Sequence, residues 1–325
     1  MKFTQSCLAG LSLAISTLAR PAELLGAAGS KASNRDVASI GYATMNGGTS
    51  GGKGGSVVNV ASLAELEKAC AGAAPAIIMV TGKISTPGKI RVGSNKSIIG
   101  KDSKAELSGV GLFIRNSKNV IVRNLRIHHV LAKNGDAIGI QGSTNVWIDH
   151  VEVSSDKEHG KDYYDGLIDV THGSDFVTIS HCYIHDHYKA SLVGHSNKNE
   201  AEDTGHLRVT YAHNYWENIN SRAPSLRFGT AHIFDSIFMD VVDGINVRKG
   251  AQALVENDYF SGSNKPLYTV DSTGFAVHKG NDFGSNTTAT IPIGTLKAVP
   301  YKYILKELEN MKDELPDIVG NTLSF

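Results

Sequence analysis

The sequence predicts an all-β chain wound as a single-domain, right-handed parallel β-helix with a short N-terminal capping helix and a C-terminal flanking segment. Three observations carry this reading. Six-residue blocks recur in one register: Val122–Ile127, Ile148–Val153, Ile179–Ile184, Tyr211–Trp216, Ile233–Phe238 and Val255–Phe260. Their third positions (Asn124, His150, His181, His213, Asp235, Asn257) are polar and stand 26, 31, 32, 22 and 22 residues apart, while every sixth position is apolar. Composition agrees, with 34 Gly, 8 Pro and short apolar runs broken by Gly, Asn, Ser and Asp. A period near 22 with insertions is what a coiled architecture requires, because each turn buries its apolar face only against the next. An antiparallel sandwich shares the strand content but predicts no columns in register. The polar column also accounts for His150, His181 and His213 as a stack, without a metal triad.

Taken in order, residues 1–19 combine Lys2, an apolar run from Leu8 to Leu18 and Thr17-Leu-Ala19 before Arg20. That is the pattern of a secretory signal peptide, with a run too short to span a bilayer. A secreted, extracellular and soluble protein is expected. Residues 20–36 read as a poorly ordered leader, and 37–325 as one domain. Acidic and basic side chains number 32 each, so no global field directs the chain to nucleic acid or membrane. Gly41 to Gly55 is too glycine-rich for a regular element and lacks phosphate-loop spacing, which leaves a flexible or tightly packed turn segment. Ser62-Leu-Ala-Glu65 is a capping box, with Leu63, Leu66 and Cys70 at helical spacing, so 62–72 should be a short helix. Strands follow from Ala76. Ile304–Met311 has helical spacing and is expected across the flank or at the C-terminal end. With Cys7 in the signal peptide, Cys70 and Cys182 are either paired or buried free thiols. Asn95 and Asn286 begin glycosylation sequons.

The chemistry-bearing stretch is Asp165-Gly-Leu-Ile-Asp-Val-Thr-His172. Read as a strand, its even spacing sets Asp165 and Asp169 on one face. Asp136 lies one coil earlier, so stacking can bring three carboxylates to one outer face. Such a group repels itself unless a cation intervenes, and all-oxygen ligation suits Ca2+ rather than Zn2+. Each acid taken alone reads more readily as a solvated surface group. Lys189, Arg222 and Arg227 lie on later coils and could border the same groove, where Arg forks match the carboxylates of a polyanion. The separation of the two Arg across Pro224 does not by itself fix a shared face.

Val146-Trp-Ile-Asp-His150, the Asp165/Asp169 pair, Lys189, Arg222-Ala-Pro-Ser-Leu-Arg227, Gly244-Ile-Asn-Val-Arg248 and Gln252-Ala-Leu-Val-Glu-Asn257 together resemble the extracellular pectate lyases. The resemblance covers nearly all of the expected mature chain. It implies a parallel β-helix that cleaves polygalacturonate by calcium-dependent β-elimination to 4,5-unsaturated oligogalacturonides, and a monomer is expected. It further implies Asp136, Asp165 and Asp169 as Ca2+ ligands and Arg222 as the base that removes the C5 proton. Lys189 and Arg227 would grip substrate carboxylates. Some relatives carry a further acid where this chain has Asn134, which implies weaker calcium binding or an ion shell completed by substrate. An Arg base must first lose a proton, and a guanidinium ordinarily holds it far above neutrality, so an alkaline optimum is implied.

Three rivals remain at this level. A pectin lyase, by the same resemblance, would act on methyl-esterified polymer without Ca2+ in a Trp-lined cleft; this chain has only Trp147 and Trp216. A glycoside hydrolase would need carboxylates flanking the scissile bond. A non-catalytic β-helix that binds a polyanion would need no convergence of Lys189 and Arg222 with the acids.

Overall fold

The computed structural model describes residues 32–284 and 287–325. The expected signal peptide, residues 20–31 of the leader and the Asn286 sequon lie outside the described residues. Three sheets run along the molecule, one of ten strands and two of eight, and every ladder between their strands is parallel. The chain visits the sheets in rotation: Thr144–Asp149 in the ten-stranded sheet, Glu152–Ser154 in one eight-stranded sheet, Ile168–Thr171 in the other, then Asp175–Ser180 back in the first. We call the last two the flank sheet and the site sheet. Val120, Val146, Val177, Val209, Ala231 and Ala253 pair in succession, which reproduces the sequence intervals of 26, 31, 32, 22 and 22 residues. The parallel solenoid is therefore as expected, and the sandwich is excluded. The extra residues of the two longest intervals fall at two different corners, 155–167 and 194–207.

The column of third positions has a backbone cause. Asn124, His150, His181, His213, Asp235 and Asn257 all have φ between 50° and 58°, the left-handed region that Asn, Asp and His tolerate best among side-chain-bearing residues. Stacking is added to this requirement: His150, His181 and His213 rings lie 4.7 and 4.9 Å apart, close to the spacing between strands. A side-chain hydrogen bond climbs the column at one step, Asn257 Nδ2 to Asp235 Oδ1 at 2.6 Å. The longer ladder runs one residue further on, where Asn214 Oδ1 accepts from the Cys182 amide (2.9 Å) and Asp258 Oδ1 from the Ser236 amide (2.8 Å). Sixth-position side chains fill the core, and Trp216, Phe238 and Phe260 stack at 5.7 and 4.3 Å.

The helix at Leu63–Cys70 is capped by Ser62, whose side chain accepts from the Glu65 amide, and turns Leu66 and Cys70 into the core. Cys70 and Cys182 are both free and buried. The Gly41–Gly55 segment is a strap laid along the ten-stranded sheet. It is held coil by coil: Tyr42 N to Thr210 Oγ1, Ala43 N to Thr178 Oγ1, Asn46 to Asn145, Gly51 N to Asn119 Oδ1 and Gly52 N to Ser97 Oγ. A Cβ on Gly52 would lie 1.9 Å from the Ala76 carbonyl oxygen, so contact rather than flexibility demands glycine there. Residues 32–36, expected as the end of a loose leader, are tied down, with Ala32 N bonded to Ser324 O and Asp36 paired with Arg123 at 2.7 Å. The C-terminal helix is Leu308–Ile318, displaced from the expected Ile304–Met311. Its buried stripe is Met311 and Leu315, packed with Val319 on Ile237 of the flank sheet, and that stripe, not the earlier apolar run, sets its position. No helix among the described residues is long and apolar enough to cross a membrane.

Candidate active site

The expected site residues gather where the flank sheet hands the chain to the site sheet. Asp136 lies two residues before strand Ile138–Gln141, and Asp165 and Asp169 belong to the next coil, with Asp169 inside strand Ile168–Thr171. Lys189 ends the flank strand Tyr183–Lys189 one coil on. Arg222 follows Ser221, the lateral partner of Lys189, and Arg227 ends strand Ser225–Arg227. Asp136, Asp165, Lys189 and Arg222 therefore share one corner, acids on the earlier coils and cations on the later, while Arg227 lies at the far end of its strand against Gly194 and Asn197.

One local expectation is corrected. Asp165 is not on the strand, so even spacing does not set it beside Asp169. Leu167 and Ile168 are adjacent and both buried, which breaks the alternation at the corner. Gly166 leaves room for the neighbouring carboxylate: a Cβ there would lie 2.5 Å from Asp169 Oδ1. Gly139, the lateral partner of Asp169, has the same relation to Asp136, with a Cβ 2.9 Å from Oδ2. Two glycines thus leave room for two carboxylates.

Those carboxylates are electrostatically strained. Burial and then the Asp165 charge push Asp136 up to about 6, and its Oδ1 accepts from the Gly166 amide at 3.0 Å. Burial and then the Asp136 charge raise Asp169 well above the ordinary carboxylate range, although it accepts from the Leu192 amide at 3.0 Å and feels Arg222. A buried acid, Asp169, and a partly buried one, Asp136, that oppose ionisation, with a third, half-exposed acid beside them, offer only oxygen donors and suit a hard cation. The three do not close into a tight triplet. Among the described residues, the group of three with all ligand atoms within 4.8 Å is Asp149, His150 and His181, at another corner. There Arg123 Nε and Ser180 Oγ already occupy the Asp149 carboxylate, each at 2.7 Å, so hydrogen bonding accounts for that group. Asn134 turns its amide to the Gly109 carbonyl at 3.3 Å.

On the cationic side, Lys189 Nζ donates to Asp162 at 2.9 Å and lies 3.9 Å from Asp165. Arg222 has φ 62°, a conformation that costs a side-chain-bearing residue about 1–2 kcal/mol; the Ser191 amide donates to its carbonyl at 2.7 Å. Arg227 donates to Asn197 Oδ1 and the Gly194 carbonyl, and burial, then Arg248 and Arg222, lower its pKa to about 10. Arg248 is the lateral partner of Arg227 on the next coil and extends the cationic row. His187 was missed by sequence reasoning. It lies two residues before Lys189, and its Nε2 donates to the Asp165 carbonyl at 2.6 Å. Burial, with Lys189 and Arg222 nearby, pushes it down to about 4, so it stays neutral and fixes the Asp165 backbone. Its signal was the alternation His185, His187, Lys189. Both Trp are buried, so no Trp lines this corner.

A parallel β-helix with acids and cations meeting along one corner defines a class that the comparisons make specific. The family model described as pectate lyase matches residues 12–304, and the chain belongs to that family. It is 54% identical to a probable pectate lyase A of Aspergillus fumigatus over the whole of both chains, and 55% identical to pectate lyase A of Aspergillus niger over 89% of each. Among solved structures, a pectate lyase from a Bacillus species in complex with trigalacturonate superposes with a TM-score of 0.79 at 33% identity, covering 88% of this chain and 99% of that one. A Xanthomonas campestris pectate lyase gives 0.75 at 26% identity, over 88% and 98%. The chain is accordingly a lyase acting on polysaccharide.

Proposed function

We propose that this protein is a secreted, monomeric, calcium-dependent pectate lyase that cleaves polygalacturonate by β-elimination. The observation that carries the reading is the pair of mutually repelling carboxyls, partly buried Asp136 and buried Asp169, set one to three coils before Lys189, Arg222 and Arg227. Asp136, Asp165 and Asp169 would hold Ca2+. Bound there, the ion would draw charge from the substrate carboxylate next to the reacting carbon.

Arg222 takes the C5 proton. The electron pair forms the C4=C5 double bond as the C4–O bond breaks, and water protonates the leaving oxygen. Charge that develops on the C6 carboxylate is met by Lys189, while Arg227 orients a neighbouring carboxylate. Because a guanidinium must release a proton before accepting one, turnover rises towards alkaline pH. The likeness to a trigalacturonate-bound relative supports the substrate class, and the burial of both Trp speaks against a Trp-lined pectin lyase cleft.

The test compares ultraviolet absorbance of the unsaturated uronide on polygalacturonate and on methyl-esterified pectin. Faster elimination on polygalacturonate is expected. Faster elimination on the ester would make it a pectin lyase, and new reducing ends without absorbance would make it a hydrolase.

A further inference from the structure

We propose that Asp162 attenuates the affinity of this cleft for its polymer: its carboxylate occupies Lys189 in the substrate-free chain and must be displaced by a carboxylate of the polymer. The inference rests on the reading of Lys189 as a substrate contact. Lys189 Nζ bonds Asp162 Oδ1 at 2.9 Å, against 3.9 Å to Asp165. The lysine side chain is only 14% exposed and that of Asp162 is 75% exposed, so the acid sits on the solvent side of a nearly covered ammonium.

A pinned turn holds it there. The Tyr163 amide donates to the Gly160 carbonyl at 2.9 Å, and the Ala132 amide to the Tyr163 carbonyl at 3.1 Å. Leu131 and Tyr164 form a β-bridge, Tyr164 Oη donates to Asp156 Oδ2 at 2.5 Å, and Tyr188 Oη donates to the Lys157 carbonyl at 3.2 Å. Both ends of the 156–165 segment are thus fixed, and Asp162 is presented between them.

A galacturonate carboxylate offers Lys189 the same ligand as Asp162, with the same charge and oxygen donors, so it can replace it. A methyl ester offers no charge and leaves the internal pair intact. The competitor within the protein therefore lowers affinity for the charged polymer and leaves binding of the ester unaffected. Exposed ion pairs of this kind are weak, which sets the expected effect at about two- to fivefold.

The experiment measures tetragalacturonate affinity by calorimetry, with Ca2+, in the Arg222→Ala chain, where turnover is removed. Asp162→Asn, Lys189→Met and the double variant are added to that parent. Asp162→Asn should tighten binding about two- to fivefold, have no effect once Lys189 is Met, and leave half-saturating calcium unchanged. Unchanged or weaker binding overturns the inference. Equal tightening without Lys189 also overturns it, since a long-range charge effect would then suffice. A raised calcium requirement overturns it by making Asp162 an ion ligand. A parent that binds no tetragalacturonate at all overturns the reading of the site itself and this inference with it.

Discussion

Arg222 combines a backbone penalty with the base role proposed for it. Its φ of 62° is one that glycine would adopt freely, yet the position holds a guanidinium within electrostatic reach of Asp136, Asp169 and His187. Arg222→Ala keeps the same backbone penalty and removes only the base. Turnover should fall below detection while the thermal midpoint and calcium binding stay as in the parent; retained turnover would take the base role away from Arg222. Asp169 makes the complementary case. Its carboxyl is raised by burial and by Asp136, so Asp169→Asn relieves repulsion in the cation-free protein. That variant should melt higher without calcium and need roughly tenfold more of it, since ligand charge sets calcium affinity. An unchanged calcium titration would remove Asp169 from the ligand set.

Between residue and molecule, corners and straps decide what periodicity could reveal. The coils were legible because a repeat that buries one face per turn writes itself into spacing: Trp216, Phe238 and Phe260 stand 22 residues apart and stack. Asp169 was legible for the same reason, being on a strand. Asp165 was not, because the corner at Gly166 interrupts the alternation on which the even-spacing argument depends. The Asp162–Lys189 pair and the His187–Asp165 bond join positions more than twenty residues apart across the 155–167 insertion, and no period encodes an insertion. The glycines of the strap were ambiguous for another reason: glycine serves both looseness and close contact, and only the neighbour distinguishes them. At Gly52 the neighbour is the Ala76 carbonyl. Gly52→Ala should therefore cost about 1–3 kcal/mol through overpacking, seen as a lower thermal midpoint with unchanged turnover per folded molecule. An unaltered midpoint would mean that the strap can lift without loss.

Over the whole molecule, a solenoid has open sides, and this one closes them with buried polar networks. Glu256 Oε2 accepts from His232 at 2.9 Å and from Tyr303 of the C-terminal segment at 2.6 Å, and Lys279 lies 2.7 Å from Oε1. Burial alone would raise Glu256, but these partners hold it down to about 2 against an ordinary 4.5. A carboxyl lowered on folding contributes stability that is whole above 4.5 and is lost as pH falls from there towards 2. Glu256→Gln should lower the midpoint at neutral pH and flatten the acid limb of the stability curve across that window. A parallel acid limb would show that Glu256 carries none of it.

The acids on the earlier coils would hold the cation that lets Arg222 act as base on a later one. The most direct measurement follows ultraviolet absorbance on polygalacturonate while calcium is supplied, chelated and restored. Absorbance should rise, stop on chelation and resume on calcium addition. A rise indifferent to chelator would contradict that expectation, leaving Asp136, Asp165 and Asp169 without the role assigned to them.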